Sequence, residues 1–390
     1  MLDARPLPDH LGVGFTMKTP LKKDPSSYRY EQVGRYHNYY FTSQKFDWPQ
    51  LPIPQPVIVD AFSPNVNKHL HVGHLRNLAL AKGYTQIFEG TGSRFVALLG
   101  YSLGELAGAV DALNRWLDFV GYHPEVYRDT EIAHQIKLDT FPGELEYQGC
   151  EVWQGLKSPV VIRRSDGTTT YACHDLAFAK LVTPTHYLTG SEQREHFENL
   201  GLGKKHLPMG LVLDPKTGKK MKSRDGTALS ANEAMQLVVG RLDTTPEPKK
   251  LAWNVLAWNF LHVGRSKDVK FNIDGWTTPD SPGLYITYTY ARLASIFKDT
   301  IPEEVVVDEK DLKLLGFCQY LTYAKYCSQV TMDLAPVAEF AHDLARKVGA
   351  LYHEERIDGG RLSFRWAVYQ AMKTIETSMK LLGMSPLERV

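Results

Sequence analysis

The amino-acid sequence predicts an α/β fold with a doubly wound parallel sheet, followed by an all-α helical bundle. Up to about residue 230, short apolar runs bounded by glycine and proline alternate with helical stretches, as in parallel strands joined by crossover helices. Beyond that point, apolar residues recur at the three- and four-residue spacing of buried helix faces. At 390 residues the chain exceeds the size of one hydrophobic core, so several domains are expected.

Three segments are predicted. Residues 1–55 are rich in proline, tyrosine and lysine and are expected to form an irregular extension, which ends in the extended stretch PQLPIPQP. Residues 56–235 should form the sheet domain, and residues 236–390 the helical domain. The helical segments of the last domain are NEAMQLVVGRL, LAWNVLAWNFL, GLYITYTYARLASIF and AVYQAMKTIETSMKLLG.

The strands of the sheet domain are predicted in order. The run VIVDAF from Val57 to Phe62 is the first, and a helix follows it that ends near Gly90. RFVALLG is the second strand, and a mixed segment over about 106–158 connects the two halves of the sheet. The remaining strand candidates are PVVIRR, HYLTG and LPMGLVLD, with LAFAKLV as a crossover helix before HYLTG.

The composition excludes several classes of protein. Hydrophobic residues make up 43% and charged residues 23%, which is typical of soluble globular proteins. The 45 basic and 44 acidic side chains nearly cancel, so any nucleic-acid surface must be a local patch. The four cysteines lack the paired spacing of zinc sites and are too few for a disulfide scaffold. We predict no signal peptide and no membrane-spanning segment, so we expect a cytoplasmic protein without membrane contact. We also expect no metal cluster held by protein side chains.

The motif HVGH at residues 71–74 is the first segment that indicates a chemical function. It follows a strand and opens a helix, so it places two imidazoles and a glycine at a helix N-terminus, where a triphosphate fits. Two histidines at a helix start are also compatible with ordinary capping. A second HVG, at His262 to Gly264, follows a helical stretch and has Arg265 in place of the second histidine, so we do not interpret it as a repeat of the motif.

The stretch SPNVNKHLHVGHLR resembles the HIGH signature of class I aminoacyl-tRNA synthetases in its arginyl form. The resemblance implies a Rossmann-type catalytic domain that binds ATP with Mg²⁺. It assigns His71, His74 and Lys68 to catalysis, both histidines and Gly73 also to ATP binding, and Ser63 and Asn65 to arginine binding.

The basic loop KTGKKMKSRDGT resembles the KMSKS loop of the same class, although Lys222 stands where a serine is usual. The resemblance implies that lysines of this loop neutralise the departing pyrophosphate, together with Lys68. Taken alone, such a run is also typical of a solvated loop. The resemblance assigns Lys220, Lys222 and Arg224 to catalysis and Ser223 to ATP binding.

Tyr171 and Asp175 lie four residues apart in RRSDGTTTYACHDLA and would share one face of a helix, where they could bracket a guanidinium group. A capping aspartate beside a core tyrosine is the alternative. The block resembles the RSDGTxxYxTRDxA motif of arginyl synthetases. That likeness implies that Gln193 completes the arginine pocket and that Asp60, with Asn65, holds the substrate's α-amino group.

The segment HLPMGLV lies where arginyl synthetases pack adenine against a strand. The resemblance assigns His206, Met209 and Leu211 to ATP binding, through backbone contacts over residues 209–212. A core strand without ligand contact is equally compatible with this pattern.

In the helical part, PGLYITYTYARLASIF resembles the GPYxQYAxAR helix of the arginyl anticodon-binding domain. Tyr285, Tyr288 and Arg292 share a face by their spacing and could stack on unpaired bases, with Tyr352 on the same surface. A buried core stripe is the alternative. The ending LLGMSPLERV also resembles the family's ending, with Val390 where methionine is usual.

Two departures from the family pattern concern the tRNA. The first 55 residues are too few for the N-terminal domain that grips the tRNA elbow in most arginyl enzymes, so we expect that domain to be lacking. GYSLGE at residues 100–105 replaces the family's GDWGTQ element near the meeting point of the tRNA 3′ end and the amino acid.

The expected function is therefore that of a monomeric arginyl-tRNA synthetase-like ligase, which uses ATP, Mg²⁺, L-arginine and tRNA(Arg). Two alternatives stay open at this point. One is a paralogue that activates arginine for another acceptor, such as a peptide or a natural-product intermediate. The other is a noncatalytic tRNA-binding protein.

Overall fold

The computed structural model describes residues 5–6, 14–17, 28–41, 51, 54–135, 138, 141–142, 149–221, 229–242 and 245–390. The chain divides into two compact units. The sheet unit comprises Gln55–Leu237 and Val263–Asn272, and the helical unit comprises Met1–Pro54, Val238–His262 and Ile273–Val390. Within the described ranges, no helix has the length and apolar character needed to cross a bilayer.

The strands, in chain order, are β1 (Arg5–Pro6), β2 (Gly14–Met17), β3 (Tyr28–Val33), β4 (Tyr36–Phe41), β5 (Ile58–Asp60), β6 (Arg94–Leu99), β7 (Glu125–Arg128), β8 (Phe141–Pro142), β9 (Glu151–Gln154), β10 (Pro159–Arg163), β11 (His186–Gly190), β12 (His206–Met209), β13 (Val212–Leu213) and β14 (Val269–Lys270).

The helices are α1 (Val72–Ile87), α2 (Ala109–Val120), α3 (Asp129–Gln135), α4 (Tyr171–Val182), α5 (Arg194–Asn199), α6 (Ala231–Val239), α7 (Pro248–Leu261), α8 (Ile273–Trp276), α9 (Pro282–Phe297), α10 (Glu309–Thr331), α11 (Ala335–Glu354) and α12 (Leu362–Leu381).

The centre of the sheet unit is a five-stranded parallel sheet in the order β12-β11-β5-β6-β7. From β5 the chain proceeds through α1 to β6 and through α2 to β7 on one side, and β11 pairs with the other edge of β5. The order therefore reverses at β5. In such sheets, ligands bind where the order reverses, beyond the carboxyl ends of the strands.

Two features of the sheet unit differ from the sequence expectation. PVVIRR forms β10, but β10 lies in a separate antiparallel sheet of order β10-β9-β8. The fifth parallel strand is β7, which lies in the segment interpreted as mixed. Three of the four residues of β7 are exposed, so this edge strand lacks the apolar run by which the other strands were recognised.

The N-terminal segment also differs from expectation, because the irregular extension contains an antiparallel sheet of order β1-β2-β4-β3. Its hairpin β3–β4 turns through Gly34 and Arg35, and Gly34 has a φ of 59°. The tyrosines of YRYEQV and YHNYYF favour strands. These strands were not predicted, because proline and lysine are frequent in the surrounding sequence.

The helical unit is organised around α7, in which every residue from Leu251 to Leu261 is buried. This helix packs against α9 and α11, while α11 and α12 pack on each other and on both α9 and α10. A helix that is apolar on all sides is expected at the centre of a bundle. Between α7 and α8 the chain enters the sheet unit over Val263–Asn272, where β14 pairs in parallel with β13.

Candidate functional site

A cavity of about 560 Å³ lies beyond the carboxyl ends of the parallel strands. Asp60, Gly190 and Met209 are the last residues of β5, β11 and β12, and all three line it. The predicted residues that line this cavity are Asp60, Ser63, Asn65, Lys68, His71, Gly73, His74, Tyr171, Asp175, Gln193, Met209, Leu211 and Lys220.

The N-terminus of α1 places two imidazoles in this cavity. His71 is the N-cap residue, and its Nδ1 accepts a hydrogen bond from the Gly73 N–H at 3.1 Å. The His71 N–H in turn donates to Nδ1 of His74 at 3.0 Å, and the two rings stack with centroids 3.9 Å apart. Because each Nδ1 acts as an acceptor, the neutral form of each ring carries its proton on Nε2.

Both rings are held in that neutral form. Burial, assisted by the charges of Lys68 and Lys220, lowers the pKa of His71 to about 4. The pKa of His74 is lowered well below its ordinary value by burial, by His71 and by the same two lysines. Near pH 7 both imidazoles are therefore neutral Nε2–H donors at a positive helix end, an arrangement suited to phosphate oxygens.

The absence of a side chain at Gly73 leaves room for the ring of His71. A Cβ at Gly73 would lie 2.9 Å from Cε1 of His71, closer than side chains tolerate. This glycine therefore also has a role within the protein, in addition to the predicted close approach of a ligand.

Asp60 is a buried carboxyl at the end of β5. It accepts a hydrogen bond from the Ser63 hydroxyl, which itself accepts the Leu98 N–H at 2.7 Å. Burial raises the pKa of Asp60 to about 7; the Ser63 hydrogen bond opposes this shift and the charge of Asp175 adds to it. The group therefore titrates near neutrality and gains most from a cationic ligand.

Asp175 and Tyr171 lie one turn apart on α4, as the spacing predicts. Oδ2 of Asp175 is bonded to Nε2 of His196 at 2.6 Å. Tyr171 is 48% exposed, and its hydroxyl accepts a 3.4 Å hydrogen bond from the Asn65 amide. Two carboxylates and a phenol thus share one cavity, which suits a ligand with two positive charges.

The pair Asp129 and His174 also lines the cavity and was missed by the sequence analysis. Both side chains are 2% exposed, with His174 Nδ1 3.3 Å from Asp129 Oδ2. The Asp129 carboxylate accepts the N–H groups of Tyr101 at 2.8 Å and Ser102 at 3.2 Å. It therefore anchors the start of GYSLGE. His174 stands where the RSDGTxxYxTRDxA pattern has arginine, and that mismatch was the available signal.

Other predicted residues have different surroundings. Lys220 forms an ion pair with Glu192, and both line the cavity. Lys222, Ser223 and Arg224 lie outside the described residues.

His206 is buried and is not part of the cavity lining. Its Nε2 lies 2.9 Å from the Thr189 hydroxyl, and its ring stacks on Phe197 at 4.9 Å. Among the residues that the structure describes, no cluster of three or more His, Cys, Asp or Glu side chains is arranged to hold a metal ion.

The predicted tRNA-binding residues lie in the helical unit. Tyr288 is exposed on α9, and the Arg292 guanidinium lies 3.6 Å from the ring centroid of Tyr352. Tyr285 is half-buried; its ring contacts His342 edge-on at 6.3 Å, and its hydroxyl lies against Gly349. Tyr288 and Arg292 are thus exposed, whereas Tyr285 and Tyr352 are partly buried.

The chain is similar to known proteins in three comparisons. Residues 286–390 match the DALR anticodon binding domain. An arginine–tRNA ligase of Phocaeicola vulgatus is 28% identical over 286 residues, covering 61% of this chain and 47% of that protein. One of Streptococcus pneumoniae is 22% identical over an alignment of 458 residues, covering 86% of this chain and 80% of that protein. The chain spans about half the length of the first of these curated relatives.

Two solved structures share the fold. Arginyl-tRNA synthetase of Thermus thermophilus has a TM-score of 0.69 at 16% identity, with 99% of this chain and 96% of that chain covered. The Plasmodium falciparum enzyme has a TM-score of 0.72 at 15% identity, with 100% and 95% covered. The chain therefore has the fold of these arginyl-tRNA synthetases, and its residues 286–390 are similar to the DALR anticodon binding domain.

Proposed function

We propose that this chain is an arginine–tRNA ligase, which activates L-arginine with ATP and transfers it to the 3′ end of tRNA(Arg). The observation that carries the proposal is a single cavity with two kinds of lining: phosphate donors at the N-terminus of α1, and the carboxylates Asp60 and Asp175. The names of the relatives support the same substrates.

In the activation step, a carboxylate oxygen of arginine attacks the α-phosphorus of ATP. A phosphorus–oxygen bond forms, the bond to the pyrophosphate oxygen breaks, and pyrophosphate leaves with the electron pair. The neutral histidines His71 and His74 donate from Nε2 to the phosphate oxygens as negative charge builds up. The protein forms no covalent intermediate; its contribution is alignment and charge stabilisation.

Lysines supply the positive charge for the leaving group. Lys68 and Lys220 are close enough to lower the pKa of both histidines, which supports a shared phosphate region. Lys222, Ser223 and Arg224 join this proposal on their sequence resemblance alone. Mg²⁺ enters as part of the ATP substrate, held by phosphate oxygens and water.

On the amino-acid side, Asp175 pairs with the guanidinium group beside Tyr171 and Gln193. Asp60, with Ser63 and Asn65, receives the α-ammonium group. Adenine contacts the strand region Met209–Leu211, and His206 supports this region through Thr189 instead of touching the ligand.

In the transfer step, a ribose hydroxyl of the terminal tRNA nucleotide attacks the carbonyl carbon of arginyl-adenylate, and AMP leaves. The helical unit binds the anticodon region through Tyr288, Arg292 and Tyr352, with Tyr285 as an inner support. We also propose a monomer that acts in the cytoplasm, where its substrates are found. No specific observation favours another acceptor or a noncatalytic role.

The test is ATP–pyrophosphate exchange with each proteinogenic amino acid, measured with and without total tRNA. Arginine alone should support exchange. Exchange with a different amino acid, or binding of tRNA without any exchange, would contradict the proposal.

A further inference from the structure

Val263 and Gly264 of the second HVG segment lie in the sheet unit, which the sequence did not indicate. Gly264 and Arg265 begin a loop that runs to Asp268, between α7 and β14, and this loop belongs to the sheet unit. It lies against the connection between β12 and β13, where Gly210 and Leu211 line the cavity.

Arg76 joins α1 to both of these segments. It lies two residues beyond His74 on the same helix, and it is 0% exposed. Its Nη1 donates to the Gly210 carbonyl at 2.8 Å, and its Nη2 donates to the carbonyls of Arg265 at 3.3 Å and Gly264 at 3.5 Å. The planar, permanently charged guanidinium fixes several acceptors at once, which a lysine does less well.

Two further hydrogen bonds join the loop to the backbone of Gly210 and Leu211. The Arg265 carbonyl accepts the Gly210 N–H at 2.9 Å, and the Asp268 carboxylate accepts the Leu211 N–H at 2.7 Å. A Cβ on Gly210 would overlap the Lys267 carbonyl, so the two segments approach as closely as glycine permits. Gly210 and Leu211 therefore have little freedom to move relative to α1.

We infer that Arg76 and the Gly264–Asp268 loop form a clamp that positions the Gly210–Leu211 wall of the cavity for the nucleotide. Because Arg76 stands on the helix that carries His71 and His74, the clamp sets the distance between the phosphate donors and this wall. Arg76 and Asp268 are positioning residues in this role. The inference rests on the proposed function in so far as the nucleotide is ATP.

Asp268 offers the cleaner test, because its side chain is exposed and its loss should leave folding intact. Asp268→Ala removes the acceptor for Leu211, whereas Asp268→Asn keeps an oxygen there. We expect Asp268→Ala to raise both the KM and the calorimetric Kd for Mg-ATP about three- to tenfold, with the KM for arginine unchanged, since one charge-assisted hydrogen bond is lost. Asp268→Asn should restore most of the ATP affinity.

Asp274→Ala is the matched control, since Asp274 is an exposed carboxylate paired with Arg241 outside the clamp. It should leave the KM for ATP unchanged. Arg76→Lys should act in the same direction as Asp268→Ala, with the melting temperature recorded beside the kinetics.

Three outcomes would overturn the inference: equal effects of Asp268→Ala on ATP and arginine, no effect on either, or failure of Asp268→Asn to rescue. A wild-type chain that binds ATP but activates no arginine would contradict only the proposed function, and the calorimetric comparison would still test the clamp. A wild-type chain that binds no ATP would overturn both.

Discussion

Asp60 shows how one buried carboxyl can link substrate binding to pH. Its surroundings favour the neutral form, because burial and the nearby charge of Asp175 both raise its pKa, to about 7. An arriving α-ammonium group reverses that preference by stabilising the carboxylate. Binding of arginine should therefore release a proton from Asp60 whenever the solution is near or below neutrality.

The KM for arginine should rise as the pH falls from 8 to 6. Asp60 has a pKa of about 7, so its ionised fraction falls about tenfold between pH 8 and pH 6. The protonated carboxyl does not attract an ammonium group. His71 has a pKa of about 4 and stays neutral throughout. Steady-state exchange kinetics at several pH values measure how the KM for arginine depends on pH.

Asp60→Asn is the control for this dependence. The variant should bind arginine weakly at every pH, and its KM for arginine should depend much less on pH. A slope equal to that of the wild type would assign the titration to another group.

At the level of single residues, motif resemblance named 13 of the 29 residues that line the cavity, because these residues lie in blocks with a recognisable spacing. Asp129, His174 and His196 were not assigned, because they act on other residues of the protein. Asp129 binds backbone N–H groups and His196 binds Asp175. Such roles depend on tertiary neighbours that a spacing pattern does not contain.

At the level of elements, α1 combines two roles at its N-terminus. Nδ1 of His71 caps the helix, which leaves Nε2 as the atom that we propose to donate to a phosphate oxygen. The two roles use opposite sides of one ring, so substitutions can separate them.

His71→Asn should keep the helix stable but lose activity. Asparagine is a good N-cap residue, whereas it cannot reproduce the Nε2 donor, so we expect exchange to fall about 100-fold with little change in unfolding free energy. His71→Ala should lose activity equally and also destabilise the protein by about 1 kcal/mol. Denaturant unfolding and exchange rates together test this; if His71→Asn keeps its activity, the proposed donor role is wrong.

The strands were predictable where burial imposed an apolar run, as in β5, β6 and β11. The exposed edge strand β7 has no such run, and β10 has one but pairs in another sheet, because an apolar pattern does not specify a partner. The N-terminal sheet was missed because proline and lysine dominate that part of the sequence.

At the level of the whole molecule, we propose that the sheet unit activates arginine and that the helical unit recognises tRNA. The DALR match covers residues 286–390, and Tyr288 is exposed in the helix where this match begins. The excursion of Val263–Asn272 into the sheet unit could not be predicted, because composition and periodicity say nothing about which unit a short loop joins.

Tyr288→Ala should raise the KM for tRNA about tenfold, since loss of one base-stacking contact costs roughly 1–3 kcal/mol. The KM for arginine should stay the same. Val330→Ala, an exposed apolar substitution on α10, is the control and should change neither value. Equal behaviour of the two variants in charging assays would place the anticodon contact elsewhere.

The central claim is that this cavity selects arginine for transfer to tRNA. The most direct measurement is charging of total tRNA with labelled amino acids and Mg-ATP, for the wild type and for Asp175→Ala. The account predicts arginyl-tRNA from the wild type and a KM for arginine raised about 10- to 100-fold in the variant, because the guanidinium loses its carboxylate. Charging with another amino acid, no charging at all, or an unchanged KM for arginine in the variant would contradict it.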